Sequence, residues 1–112
     1  MMAGFVLGAA SAGLPIVVDG FISSSAFLAA RAFCPEIGEY VFFSHRSAEL
    51  AHARLLDCAG ARPLLDLGMC LGEGTGAALA MGLLSSGVSL YSQMATFAEA
   101  SVSDVGTREK TI

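Results

Sequence analysis

Three short polar clusters hold the residues best suited to chemistry: Asp19-Gly20-Phe21, Ser44-His45-Arg46-Ser47 and Gly72-Glu73-Gly74-Thr75-Gly76. The third spaces glycines at alternate positions around a carboxylate. Glycine lets a backbone turn sharply and approach a ligand closely. The free N–H groups at the start of a following helix suit an anion such as phosphate. No Gly-Lys-Ser/Thr follows, so this is not a Walker loop, and the spacing does not give a dinucleotide fingerprint. Glu73 lies among small residues beside Leu71. Partial desolvation there would raise its pKa and make it a better base near neutral pH. The same pattern also describes a first-turn glutamate that serves the helix dipole.

The other clusters leave similar alternatives open. Arg46 with Ser44 and Ser47 can bind phosphate or carboxylate, or be an exposed arginine on a capped turn. His45 can titrate, or be a hydrogen-bonded structural residue. His52 falls inside a helical segment and reads as packing or surface. Asp19 can bind a hydroxyl or close its own turn, and Asp66 shares that ambiguity.

Each cluster follows an apolar extended run and precedes a helix. Ala3–Ala12 is small and apolar, and Gly13 ends it. Pro15–Val18 is a short strand. One of Ser23, Ser24 and Ser25 can cap a helix that reaches Phe33, where Cys34-Pro35 stops it. Tyr40–Phe43 is a second strand. Ser47 can cap a third helix, with Glu49 in its first turn and Gly60 at its end. Pro63–Leu67 is a third extended candidate and leads through Gly68 to Leu71. A long helix runs from Thr75 or Gly76 to Ala98. Leu79, Leu83, Leu90, Met94 and Phe97 share one of its faces, and Met69, Met81 and Met94 read as core filler. Alternating strands and helices predict an α/β fold: a three-layer, Rossmann-like parallel sheet with helices on both faces. Ligands in such sheets bind beyond the carboxyl ends of the strands, so the three clusters should converge along one edge.

The whole chain supports that reading. Of its 112 residues, 54% are hydrophobic and 14% charged, against roughly 45–50% and about 25% in soluble domains. So few strands could not cover themselves, which makes this a partial domain whose surface is covered by other protein. The net charge of -4 shows no basic stripe, which argues against nucleic-acid binding. Cys34, Cys58 and Cys70 form no CxxC pair, so they read as reduced, mostly buried thiols rather than metal ligands. Two uncharged stretches, Met1–Val18 and Gly74–Ala98, lack flanking basic residues and aromatic belts, which argues against a membrane span.

Five blocks in order carry a family resemblance: Pro15–Ser23, Ser44–Glu49, Leu64–Met69, Leu71–Ala78 and Met94–Phe97. They resemble the C-terminal part of the nicotinate-nucleotide–dimethylbenzimidazole phosphoribosyltransferases. The resemblance covers residues 1–100 as one domain portion and leaves a polar, disordered tail over 101–112. It implies a homodimeric cytoplasmic enzyme roughly three times this length. That enzyme moves phosphoribose from nicotinate mononucleotide to dimethylbenzimidazole, without cofactor or metal, and gives α-ribazole phosphate for cobalamin. Glu73 is then the general base. The backbone at Leu71, Gly72 and Gly74 lines the nucleotide pocket, and Ser44, Arg46, Ser47 and Asp19 lie beside it. Partners would be the two substrates and a second copy or the absent N-terminal portion. Cys70 stands where the family pattern has arginine, and Met81-Gly82 where it has a proline-containing turn. The alternative is a non-catalytic module for nucleotide binding or dimerisation.

Overall fold

The structure, a computed structural model, describes residues 1–70, 72–96 and 99–100. Leu71, Phe97, Ala98 and the tail from Ser101, on which some expectations fall, lie outside the described residues. The element order is α1 (Met2–Ser11), β1 (Ile16–Val18), α2 (Gly20–Phe33), a short 3-10 helix (Pro35–Tyr40), β2 (Val41–Phe43), β3 (His45–Ser47), α3 (Leu50–Ala59), β4 (Leu65–Met69) and α4 (Thr75–Gln93).

The helix ends form where the sequence chemistry requires. After α1, Gly13 turns left-handed with φ +70°. Its N–H donates to Ala10 O at 2.9 Å, and the Leu14 N–H donates to Ala9 O at 3.0 Å. This reciprocal pair satisfies carbonyls that a helix end otherwise leaves free. Gly60 closes α3 in the same way, with φ +61°. Cys34 is extended ahead of Pro35 and stops α2, as a residue before proline must.

All the strands pair in parallel. β1 pairs with β2 in the register Ile16 to Val41 and Val18 to Phe43. β3 pairs with β4, from His45 opposite Leu65 to Ser47 opposite Met69. The register slips between those two pairs, and Gly68, at φ +62°, lies in the slipped stretch. Ser44 joins the two ladders: its N–H donates to Val18 O at 2.9 Å, and its carbonyl accepts the Leu65 N–H at 3.0 Å. The expected parallel α/β architecture is present, as two short ladders hinged at one serine.

The core forms where α1, α2 and α3 meet the first ladder. Val6, Ile16, Val18, Phe27, Ala30, Ile37, Phe43, Leu56 and Ala59 are all buried. The Phe27 and Phe43 rings pack edge to face, with centroids 5.1 Å apart, the geometry that ring quadrupoles favour.

Several expectations need correction. α2 starts at Gly20 with Asp19 as N-cap, so the serines are not its caps. Ser24 and Ser25 instead donate to carbonyls one turn back, at Gly20 and Phe21. Glu49, not Ser47, is the N-cap of α3; Ser47 Oγ accepts the Glu49 N–H at 3.2 Å. α4 ends at Gln93 rather than Ala98. Its apolar face is not buried within the chain: Leu79, Leu83, Leu90 and Met94 are exposed, as is Met81. Only Gly76 and Ala80 of α4 are buried. Cys58 and Cys70 are exposed, against the expected burial. Among the described residues no helix is long and apolar enough to cross a membrane.

Phe27 is 2% exposed, so removing its ring would open a cavity against Phe43. Phe27→Ala should cost about 3–5 kcal/mol, read as a lowered urea midpoint. A loss below about 1 kcal/mol would mean that the neighbours collapse freely into the gap.

Candidate active site

The site begins with a conflict at the head of α4. Glu73 has φ +62° and Gly74 φ +81°, both left-handed. Glycine adopts this conformation freely, but a glutamate pays a steric cost of about 1–2 kcal/mol. The sharp turn makes Gly74 the N-cap, and that residue has no side chain to bond the free N–H groups of the first turn. The missing acceptor comes from far away in sequence. Asp19 Oδ1 accepts the Ala77 N–H at 2.7 Å, across 58 residues.

Asp19 can reach because it makes no side-chain bond to its own helix, although it is the N-cap of α2. Its Oδ1 also accepts the Ser44 hydroxyl at 3.3 Å and lies 3.5 Å from His45 Nδ1. Ser44 Oγ is 3.0 Å from that same nitrogen. A proton on Nδ1 gives the one arrangement without two acceptors facing each other: His45 donates to Ser44, and Ser44 donates to Asp19. The His45 ring then packs on Gly76. A Cβ at Gly76 would fall 2.7 Å from two ring carbons and closer still to Nδ1. The close approach that this glycine permits is therefore to a histidine, not to a ligand.

A second histidine, from α3, packs edge-on against the first, with ring centroids 6.3 Å apart, and holds a hydrogen-bonded chain of its own. His52 is 1% exposed, a packed residue rather than a surface one. Its Nδ1 accepts the Ser47 N–H at 3.0 Å. A backbone N–H can only donate, so Nδ1 is unprotonated and the neutral ring carries its hydrogen on Nε2. That nitrogen lies 3.2 Å from Ser24 Oγ, which passes its own hydrogen to Gly20 O at 2.6 Å. Burial chiefly, and then the nearby His45, push the His52 pKa below its ordinary 6.5, against smaller upward pulls from Glu49 and Asp19.

Of the residues singled out in the sequence, the structure joins Asp19 and Ser44 directly, and both to the turn that carries Glu73. Gly72 and Gly74 form that turn: Gly72 O accepts the Thr75 hydroxyl at 3.1 Å. Arg46 points elsewhere. It is half exposed and reaches Asp66 at 3.8 Å, between shallow cavities of about 300 and 260 Å³. A pair this exposed contributes about 0–1 kcal/mol. The Ser47 hydroxyl bonds within its own turn, and its N–H donates to His52. Glu73 is exposed in this chain, so the expected desolvation is absent. His45, His52 and Ser24 are the members of the network that sequence reading did not assign to the site. Two histidines and a serine in apolar surroundings were the available signal. Among the described residues no cluster could hold a metal ion.

Parallel strands alternating with helices, with polar residues gathered at strand ends, place the chain in the α/β class. A family model described as phosphoribosyltransferase matches residues 1–102, and the chain belongs to that family. Nicotinate-nucleotide–dimethylbenzimidazole phosphoribosyltransferase of Solidesulfovibrio magneticus is 55% identical over 103 residues, covering 92% of this chain and 29% of the relative. The protein of the same name from Geobacter metallireducens is 54% identical over 101 residues, covering 90% of this chain and 29% of its own length. The crystal structure of CobT from Thermus thermophilus superposes with a TM-score of 0.84 at 46% identity, over 91% of this chain and 30% of that one. The chain thus spans about 29% of the length of the curated relatives it matches.

Two outcomes follow from the network. Gly76→Ala should destabilise the chain by about 1–3 kcal/mol or more, because the added methyl would meet the buried His45 ring at Nδ1, the atom that Ser44 holds. Calorimetric melting checks this, and an unchanged midpoint would mean the ring moves freely. For His52, the folded pKa lies below the unfolded one, so the unfolded chain takes up the proton first. Its contribution is complete above pH 6.5 and is lost as pH falls below that value. An NMR titration should place the His52 midpoint under 6.5, and a midpoint at or above 6.5 would contradict the buried neutral ring.

Proposed function

We propose that this chain is the base-bearing, C-terminal portion of a phosphoribosyltransferase that acts on nicotinate mononucleotide and dimethylbenzimidazole. In this reading one azole nitrogen attacks the anomeric carbon as nicotinate leaves, with inversion. Glu73 takes the proton from the other azole nitrogen, and the products are α-ribazole phosphate and nicotinate. The cationic nicotinate is already a good leaving group, so positioning and one base supply much of the catalysis without metal or cofactor. The full enzyme is a cytoplasmic homodimer of the cobalamin pathway.

The observation that carries the proposal is the backbone at Glu73. A glutamate held at φ +62° stores strain that a merely dipole-serving residue does not need, and such outliers cluster at functional sites. The turn follows β4 and opens α4, where α/β sheets bind ligands. Gly72 and Gly74 support a pocket lined by backbone there. The names of the 55% and 54% identical relatives supply the substrate pair.

One observation favours a second reading, a non-catalytic module for nucleotide binding or dimerisation. Leu79, Leu83, Leu90 and Met94 present an exposed apolar surface along α4, as an element does when its chief role is association.

Replacing the matched segment of the Solidesulfovibrio magneticus relative with residues 1–102 of this chain tests both. The chimera should form α-ribazole phosphate, and Glu73→Gln should lower kcat by about 10²- to 10⁴-fold, the range for a lost general base. An active chimera indifferent to Glu73→Gln would remove the base role. An inactive, folded chimera that still dimerises would favour the second reading.

A further inference from the structure

We infer that Asp19 is a positioning residue for the Glu73 turn, working as a helix cap supplied from a distant strand end rather than as a ligand for a substrate hydroxyl. The role of the turn rests on the proposed function above; the positioning itself rests on geometry. The turn 72–75 has two consecutive left-handed residues, Glu73 and Gly74, and the N-cap has no side chain. Among the described residues the local bonds across the turn run from Thr75 to Gly72 O, from its hydroxyl at 3.1 Å and its N–H at 3.4 Å, and neither reaches the free N–H groups of the first turn of α4. The Asp19–Ala77 bond, at 2.7 Å, has the length of a charge-assisted hydrogen bond. It places a carboxylate on the positive end of the helix dipole.

The supports of Asp19 point the same way. Ser44 donates to the same Oδ1 that accepts from Ala77, and His45 lies beside it at 3.5 Å. Ser44 is fully buried and His45 nearly so, so this side of the carboxylate is closed to a ligand. The His45 ring fills the space over Gly76, which stops the first turn of α4 from sliding toward β3. Asp19 and His45 therefore fix the turn at two adjacent residues, 76 and 77, and Glu73 follows from that placement.

Amide hydrogen exchange on the 112-residue chain reads the positioning without any assay of activity. Asp19→Ala should speed exchange over residues 72–80 by roughly 10- to 100-fold, the loss expected for a hydrogen bond to a charged group, while α1 keeps its protection. Asp19→Asn keeps an acceptor at Oδ1, should stay folded and should retain most of the protection at Ala77. Equal acceleration everywhere in Asp19→Ala, or loss of Ala77 protection in Asp19→Asn equal to that in Asp19→Ala, would overturn the inference. In the chimera, Asp19→Ala should lower kcat with KM for nicotinate mononucleotide unchanged, and should add little to Glu73→Gln. A raised KM with kcat unchanged would make Asp19 a substrate ligand and overturn it. Local exchange that responds to Asp19→Ala while Glu73→Gln leaves kcat intact would sink only the base role.

Discussion

The carboxylate of Asp19 is the point on which three separate parts of the chain depend. It ends β1, receives the Ser44 hydroxyl from the middle of the sheet and caps α4 through Ala77. The dependence comes from the turn before α4. A chain that bends through two left-handed residues needs glycine at one of them, and a glycine at the N-cap has no side chain to accept from the free N–H groups of its helix. The acceptor must then be imported. Aspartate suits this because it is short, charged and already at the end of a strand that faces the helix.

Behind Asp19 lies a polar interior that would be costly if any member lacked a partner. Ser24, Ser44, His45 and His52 are all buried, yet no buried side-chain polar atom among the described residues lacks a hydrogen bond. Each hydrogen has one destination, which fixes both histidine tautomers. Such closed networks specify one arrangement of the elements that share them. Here those elements are α2, β3, α3 and the head of α4, the parts that set the Glu73 turn.

Sequence reading reached some of this and missed the rest for physical reasons. Gly13, Gly60 and Pro35 marked helix ends because their effect is local and steric. β-branched and aromatic runs at Ile16–Val18 and Val41–Phe43 marked strands for the same reason. The three clusters were expected at one edge from their shared place after strands, and Asp19 meets Ser44 while His45 meets Gly76. The bond from Ala77 to Asp19 spans 58 residues, and no local pattern encodes a pairing of that range. The serines of α2 looked like caps because serine prefers that position; Asp19 took it, and Ser24 was drawn inward by His52. The glycine at 76 looked like ligand space because sequence does not show that a histidine ring already fills it. The apolar face of α4 was read correctly as apolar, but its cover does not come from the described residues of this chain.

For Glu73, the residue proposed as the base, orientation and solvent exposure have separate sources. The backbone placement of Glu73 follows from Asp19, Ser44, His45, Gly74 and Gly76, all within this chain. Glu73 itself is exposed to solvent. The exposed apolar residues of α4, Leu79 and Leu83 among them, begin two turns along the helix from it. In a chain that spans about 29% of its relatives' length, orientation and desolvation thus have different sources. A carboxylate built this way can be held at the right angle in isolation and still stand in water until the surrounding surface closes over it.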